Sequence, residues 1–177
     1  MLLIGLLVAC GVIAVVVIGA ASPDDPSLPN ELQGSTLFAA EKDMQRRLPV
    51  FLSGRPDEVR LHDGELVIIE TKRRGRGRTV PVYPSDLIQI DGYAYLLRAA
   101  KNGRGYPVAS YAYIRGTGGE EPRFRKVDVG DDRLTIERHR RYHAVRAGAA
   151  RVNASTSRAL CRGCGHSGYC HAALTDG

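Results

Sequence analysis

Short apolar runs separated by turn residues predict a small β-sheet. "DEVRL" (57–61) and "ELVIIETK" (65–72) have the length and apolar content of strands, and the turn signal "HDG" between them indicates a hairpin. Two more strands are predicted in "YPVASYAYIRG" (106–116) and "PRFRKVDV" (122–129), on either side of "GTGGEE".

Three other segments carry the spacing of helices. The first is 37–48, which stops at Pro49; its apolar positions are Leu37, Ala40, Met44 and Leu48. The second is 83–103, with Ser85 as its N-cap and Asn102-Gly103 as its end. The third is 132–153, which is very basic on one face. Helices interspersed with strands predict an α/β domain, with a small mixed central sheet flanked by helices.

The N-terminal segment has a different character. Residues 1–21 carry no charged side chain, and their apolar run is about long enough to cross a bilayer as a helix. A secretory signal peptide is the alternative, but such peptides usually have a basic start and a shorter apolar core. We therefore predict a transmembrane anchor over 1–21, a linker rich in proline, serine and acid over 22–36, and one domain over 37–177.

Three charged residues are expected to meet where the hairpin strands end. Asp57 begins the first strand, while Glu70 and Lys72 end the second and point to one face because strand side chains alternate. Two carboxylates at adjacent strand ends can share Mg²⁺ or Mn²⁺, ions that polarise a phosphodiester and activate water. A neighbouring lysine can orient that water or stabilise the developing charge. The alternative is a solvated ion pair, because Glu-x-Lys alone is a weak signal.

These residues resemble the signature of the PD-(D/E)XK nuclease superfamily. Pro56-Asp57 followed by "ETK" (70–72) matches its catalytic motif. Gln89 and Tyr93 match the Q-x-x-x-Y pattern of its RecB-like branch, and residues four apart share one face of a helix. We expect this pair to lie off the apolar stripe of the helix, which is formed by Leu87, Ile90, Ala94 and Leu97.

The resemblance implies a restriction-endonuclease-like core and a role for each matched residue. Asp57, Glu70 and the Thr71 backbone carbonyl would bind the metal, and Lys72 would position or activate water. Two helical residues would contact the DNA strand through phosphates or stacking, namely Gln89 and Tyr93.

A cysteine-rich tail closes the chain, in which "CRGCGHSGYC" supplies Cys161, Cys164 and Cys170. Thiolates at this spacing suit zinc or an iron–sulfur cluster; free or disulfide-paired thiols are the alternative. The trio is similar to that of the CRISPR-associated RecB-like exonucleases. In that family a further, upstream cysteine completes a 4Fe-4S cluster.

The chain departs from the family pattern at two points. The upstream cysteine is Cys10, which lies inside the predicted anchor, so His166 or His171 is a candidate fourth ligand and zinc an alternative to iron–sulfur. Many RecB-like nucleases also contribute a histidine before the aspartate strand, but no histidine precedes His62 in this chain. Glu41, on the first predicted helix, is the nearest acidic substitute.

The net charge of +6 is consistent with a polyanionic partner or with solubility alone. In the basic run "KRRGRGR" (72–78), glycines would let the chain follow a phosphate backbone; its predicted DNA contacts are Arg73, Arg74, Arg76 and Arg78. A second basic run spans 138–146, and neither run shows a base-reading pattern, so we expect sequence-nonspecific binding. The alternative for both runs is solvated surface.

These features predict a membrane-anchored, metal-dependent nuclease acting on single-stranded DNA or DNA ends. DNA and reduced thiols both belong to the cytosol, so we expect the domain to face the cytoplasm. Two alternatives stay open. One is a nucleic-acid-binding module of the same fold without catalysis. The other is a zinc-containing membrane adaptor whose basic runs contact acidic lipid headgroups.

Overall fold

A computed structural model describes residues 25–74, 79–99 and 105–151. Its helices are α1 (Pro84–Ala99) and α2 (Asp132–Arg146), and a short 3-10 turn spans Asn30–Leu32. Its strands are β1 (Thr36–Ala40), β2 (Met44–Arg46), β3 (Leu52–Gly54), β4 (Glu58–His62), β5 (Glu65–Lys72), β6 (Tyr111–Gly116) and β7 (Arg123–Asp128). The chain divides into two compact units, 1–135 and 136–177, and the sheet and α1 lie in the first.

The centre of the first unit is a five-stranded mixed sheet in the order β1-β4-β5-β6-β7. β4 and β5 form the predicted antiparallel hairpin, in which Glu58 lies opposite Ile69. β5 and β6 run parallel, joined through α1, and this register places Thr71 opposite Arg115. β2 and β3 pair separately as a two-stranded ribbon. The predicted α/β fold with a mixed central sheet is confirmed.

Burial on both faces explains the unbroken apolar run of β5. Its even-numbered residues from Leu66 face α1 and pack with the apolar side chains of that helix. Its odd-numbered residues from Val67 face the opposite side, where residues of segment 25–35 and of β6 cover them. This alternation sends residues 70 and 72 toward α1 and residue 71 the other way.

The helix predicted over 37–48 is wrong, since this segment forms β1 and β2. β1 pairs antiparallel with β4, and Glu41 just after it has a φ of +49°, which a right-handed helix excludes. Leu37 and Leu48, expected in the core, are exposed. Pairing with the open edge of β4 satisfies the β1 backbone, and this long-range gain outweighs a weak local helical spacing.

Residues 25–35 differ from the linker interpretation, because they pack against the sheet. Leu28 and Leu32 are buried in the cluster behind β5. The Gln33 side chain bridges the turn, accepting from the Asp25 N–H at 2.9 Å and donating to the Asp25 carbonyl at 2.8 Å. Proline, serine and acidic residues indicated a linker because tight turns use the same residues.

The prediction of α1 is confirmed, but the helix begins before the predicted cap. Pro84 takes the first helical position, where a missing N–H costs nothing. The Asp86 carboxylate accepts a hydrogen bond from the Tyr83 backbone N–H at 2.8 Å. Ser85 therefore lies inside the first turn. The predicted end at 102–103 lies outside the described residues.

The third predicted helix, over 132–153, is confirmed as α2, which ends at Arg146. Within the described part of the chain, no helix is both long and apolar enough to cross a membrane. The predicted anchor (1–21) and the cysteine-rich tail (161–170) lie outside the described residues.

Candidate active site

A chain of hydrogen bonds joins the end of β5 to the first half of α1. The Lys72 ammonium donates to Glu70 Oε1 at 2.7 Å and to Gln89 Oε1 at 2.6 Å. Gln89 Nε2 in turn donates to the Tyr93 hydroxyl oxygen at 2.7 Å. The two-residue period of the strand and the four-residue spacing on the helix turn these side chains toward each other. Four of the predicted site residues are thus brought together.

Asp57 reaches the same place from the neighbouring strand. It immediately precedes β4, and its Oδ2 accepts a hydrogen bond from the Thr71 backbone N–H at 2.7 Å. The antiparallel register sets residue 58 opposite residue 69, so that residue 57 falls beside residue 70. The hairpin therefore brings Asp57, Glu70 and Lys72 together, as the sequence predicts.

Glu70 is a buried carboxylate, with 2% of its surface exposed. Burial raises the pKa of this carboxyl, the hydrogen bond from Lys72 opposes the rise, and the nearby charge of Asp57 adds to it. Lys72 satisfies Oε1, whereas Oε2 is buried and has no hydrogen-bond partner within the described residues. Burying a carboxylate oxygen without a hydrogen-bond partner costs free energy, unless a ligand such as a cation binds that oxygen.

The donor set fits a hard divalent cation. Asp57 and Glu70 can contribute carboxylates, and Thr71, which follows Glu70 in β5, can contribute its carbonyl; such oxygen donors suit Mg²⁺ and Mn²⁺. The described residues contain no cluster of three or more His, Cys, Asp or Glu side chains. Such a site leaves coordination positions for water and phosphate oxygens, as Mg²⁺ commonly requires. The unpaired Glu70 Oε2 is the observation that supports the fit.

Tyr93 lies on the core side of α1, so the expectation that it stands off the apolar stripe is wrong. Its ring packs against β3, where a Cβ on Gly54 would approach the ring to 3.0 Å. Burial raises the pKa of the Tyr93 hydroxyl, and the hydrogen bond from Gln89 opposes that rise. The hydroxyl reaches the site while the ring fills the core. The ring fits there because residue 54, at the end of β3, is a glycine. The sequence pattern did not predict that strand.

Glu41 lies at the edge of the site, in a turn rather than on a helix. Its backbone N–H donates to the carbonyls of Pro56 and Asp57 at 3.1 and 3.2 Å. Its exposed carboxylate pairs with Arg55 at 3.4 Å. The candidate acidic substitute is therefore next to Asp57 in the fold, although its side chain points to another partner.

A comparison with protein families agrees with this geometry. The family model of the PD-(D/E)XK nuclease superfamily matches residues 26–171. The chain belongs to the PD-(D/E)XK nuclease superfamily. The residues that converge at the site, Asp57, Glu70 and Lys72, lie within the matched range.

A comparison with solved structures supports the same fold. The crystal structure of SSO0001 matches this PD-(D/E)XK chain with a TM-score of 0.50 and 19% sequence identity. The match covers 77% of this chain and 62% of that protein, so the chain spans less than two thirds of its length. Identity at this level shows a shared fold alone. No curated protein matches the chain.

The basic loop that follows the PD-(D/E)XK motif is tied to the start of α1. The Arg74 guanidinium pairs with Asp86 and lies over the Tyr83 ring, 4.6 Å from its centroid. This arginine, predicted as a phosphate contact, already has partners in the fold. Arg73 beside it is exposed. The other predicted contacts of the loop lie outside the described residues: Arg76 and Arg78.

One residue beside the site has no counterpart in the sequence prediction. Arg115 of β6 donates to the Thr71 hydroxyl from Nε at 3.1 Å and from Nη2 at 2.9 Å. No motif marks Arg115, and its position depends on the parallel pairing of β5 with β6. Knowledge of that strand order is the signal that would have identified it.

Proposed function

We propose that this chain is a metal-dependent deoxyribonuclease of the RecB-like branch, using Mg²⁺ or Mn²⁺. The observation that carries the proposal is a chain of hydrogen bonds, 2.6 to 2.7 Å long, that joins Glu70 and Lys72 to Gln89 and Tyr93. Asp57 lies beside Glu70 and accepts from the Thr71 backbone N–H at 2.7 Å. A solvated ion pair does not account for a Glu70 carboxylate that is buried and only half satisfied.

Each side chain has a distinct part in the proposed hydrolysis. Asp57, Glu70 and the Thr71 carbonyl would hold the metal ion, which polarises a phosphodiester and lowers the pKa of bound water. Lys72 is partly exposed, and its ammonium can stabilise negative charge developing on the phosphate. Gln89 accepts from Lys72 and so holds its ammonium beside the site.

The proposed substrate is DNA without sequence preference, presented as a single strand or an end. The supporting features are the net charge of +6 and the exposed Arg73 next to the site. Cations of this kind contact phosphates, which position the nucleic acid but carry no sequence information.

The decisive experiment measures cleavage of single- and double-stranded DNA by the full chain with Mg²⁺ or Mn²⁺. We expect metal-dependent cleavage that Asp57→Ala and Lys72→Ala abolish. Asp63→Asn is the matched control, because its carboxylate is exposed in the hairpin turn and asparagine tolerates the φ of +49° there, and it should cleave like wild type. Equal cleavage by wild type and both site variants would point to a contaminating nuclease and reject the proposal.

A nucleic-acid-binding module of the same fold is the second candidate. The supporting observation is the small acidic ligand set: within the described residues no third metal-ligating side chain joins Asp57 and Glu70. Retained DNA binding by a metal-loaded wild-type chain that never cleaves would favour this candidate.

The proposal extends to the cysteine-rich tail, where Cys161, Cys164 and Cys170 would hold a 4Fe-4S cluster, with zinc as the alternative. A brown purified chain with broad visible absorption would identify iron–sulfur. A colourless chain with one equivalent of zinc by elemental analysis would identify zinc instead.

We also propose a single-pass membrane protein, anchored by residues 1–21, whose domain faces the cytoplasm. The support is the uncharged apolar composition of this segment and the cytosolic setting of DNA and reduced thiols. An impermeant thiol reagent should label the tail only after cells are permeabilised. Labelling in intact cells would show that the tail faces the outside of the cell, which is the opposite of the proposed topology.

A further inference from the structure

The face of the sheet opposite the candidate site carries a cluster of partly buried charges. Arg115 contacts three parts of the chain: besides its two bonds to the Thr71 hydroxyl, Nη1 donates to Glu58 Oε2 at 2.9 Å and to the Ser27 carbonyl at 3.1 Å. The Arg115 and Glu58 side chains are 17% and 13% exposed. Low exposure strengthens such charge-assisted hydrogen bonds relative to a surface pair.

A second arginine completes this cluster. Arg60 Nη1 lies 3.3 Å from Glu58 Oε1, so the two arginines hold one oxygen each of the same carboxylate. The rest of the Arg60 guanidinium bonds to Ser35, through the hydroxyl and the carbonyl, both at 3.1 Å. Both oxygens of the Glu58 carboxylate are therefore paired, and the contacts of the two arginines span β4, β5, β6 and the segment before β1.

The cluster holds the immediate neighbours of the proposed metal ligands. Thr71 lies between Glu70 and Lys72, its N–H binds Asp57, and its carbonyl is itself a proposed ligand. Glu58 directly follows Asp57. Because side chains alternate across a strand, fixing residues 58 and 71 on one face fixes residues 57 and 70 on the other.

We propose that Arg115 is a positioning residue for the metal site, acting through the Thr71 hydroxyl. This inference rests on the proposed function, because it assumes a divalent ion held by Asp57 and Glu70. Residues that orient metal ligands from behind typically change metal affinity about 10- to 100-fold when they are removed.

The test measures Mn²⁺ binding by the full chain from the loss of the electron paramagnetic resonance signal of free Mn²⁺. Site-specific binding is the part that Glu70→Gln abolishes. We expect Arg115→Met and Thr71→Val to raise the Kd about tenfold or more. Thr71→Val keeps the branched shape of the side chain and removes only the hydroxyl that Arg115 binds. Thr71→Ser restores that hydroxyl and should bind Mn²⁺ like wild type.

Arg60→Met separates positioning from stability. It removes a cation of the same cluster that, in the described structure, has no hydrogen bond to Thr71. We expect it to lower the unfolding midpoint while leaving the Kd for Mn²⁺ unchanged. The inference is overturned if Arg115→Met and Thr71→Val bind Mn²⁺ like wild type, or if Arg60→Met weakens binding as much as they do. A wild-type chain without Glu70-dependent Mn²⁺ binding would overturn the proposed function as well.

Discussion

The buried carboxylate of Glu70 links the stability of the metal-free fold to pH. Its pKa is raised above the ordinary value of 4.5, chiefly by burial, so the folded chain holds this proton more tightly than the unfolded chain. The resulting stabilisation is fully present below pH 4.5 and is lost as the pH rises through the folded pKa. Glu70 thus destabilises the metal-free fold at higher pH.

Glu70→Gln should therefore be more stable than wild type once the pH exceeds the folded pKa, because the neutral amide imposes no buried charge. The difference in urea midpoint should widen as the pH rises from 4.5 through that range, with EDTA present. Glu41→Gln is the matched control, since the Glu41 side chain is 65% exposed, and it should follow wild type. A constant difference between wild type and Glu70→Gln at all pH values would contradict this account.

Tyr93 should affect the stability of the fold as well as any contact with DNA. Tyr93→Phe removes the hydrogen bond with Gln89 and should cost about 1 kcal/mol of unfolding free energy. Tyr93→Ala also empties the space beside Gly54 and should cost about 3–5 kcal/mol. Tyr83→Phe, at an exposed ring, serves as the control. If the unfolding free energies of both Tyr93 variants lie within about 0.5 kcal/mol of the wild-type value, Tyr93 does not contribute to the stability of the fold.

At the level of the secondary-structure elements, the end of β6 lies very close to the loop that follows β5. A Cβ on Gly116 would be 2.7 Å from the Arg74 carbonyl oxygen and 2.9 Å from Val80 Cγ2. Because one of these atoms is backbone, a side-chain rotation cannot relieve the clash. Gly116→Ala should therefore destabilise the fold by about 1–3 kcal/mol, measured by urea unfolding.

The opposite sign is expected at a glycine inside α1. A Cβ on Gly92 would meet only Leu52 Cδ2, at an ordinary 3.5 Å, and alanine in a helix interior is favoured by about 0.5–1 kcal/mol. Gly92→Ala should thus stabilise the chain under the same conditions. If both substitutions shift the urea midpoint in the same direction, the close approach at Gly116 is not the cause.

The sequence predicted those elements whose stability depends on their own apolar face. The β4–β5 hairpin and α1 each carry such a face, and the meeting of Asp57 with Glu70 follows from the hairpin alone. β1 was mistaken for a helix because it exists through pairing with the open edge of β4, a partner distant in sequence. The contact of Arg115 with Thr71 likewise depends on a parallel pairing that no local pattern specifies.

Across the whole first unit, the two faces of the sheet hold their carboxylates in different surroundings. On the α1 face, no described residue pairs with one oxygen of Glu70, and the pKa of this carboxyl is raised. On the other face, Glu58 is held by Arg60 and Arg115. The paired carboxylate of Glu58 can stabilise the strands, while the free oxygen of Glu70 among the described residues retains the capacity to bind a cation. This division predicts that metal binding and folding are thermodynamically linked.

A metal ion that binds only the folded chain should raise the unfolding free energy by about 2.7 kcal/mol at 100 times its Kd. Wild type should therefore gain stability when Mn²⁺ is added at pH 8, whereas Glu70→Gln, which lacks one carboxylate ligand, should gain little. Without metal the variant is expected to be the more stable of the two, so Mn²⁺ should reverse their order. Thermal unfolding with EDTA and with saturating Mn²⁺ measures both states, and Asp57→Asn should lose the same increment. Equal stabilisation of wild type and both variants would place the bound ion elsewhere.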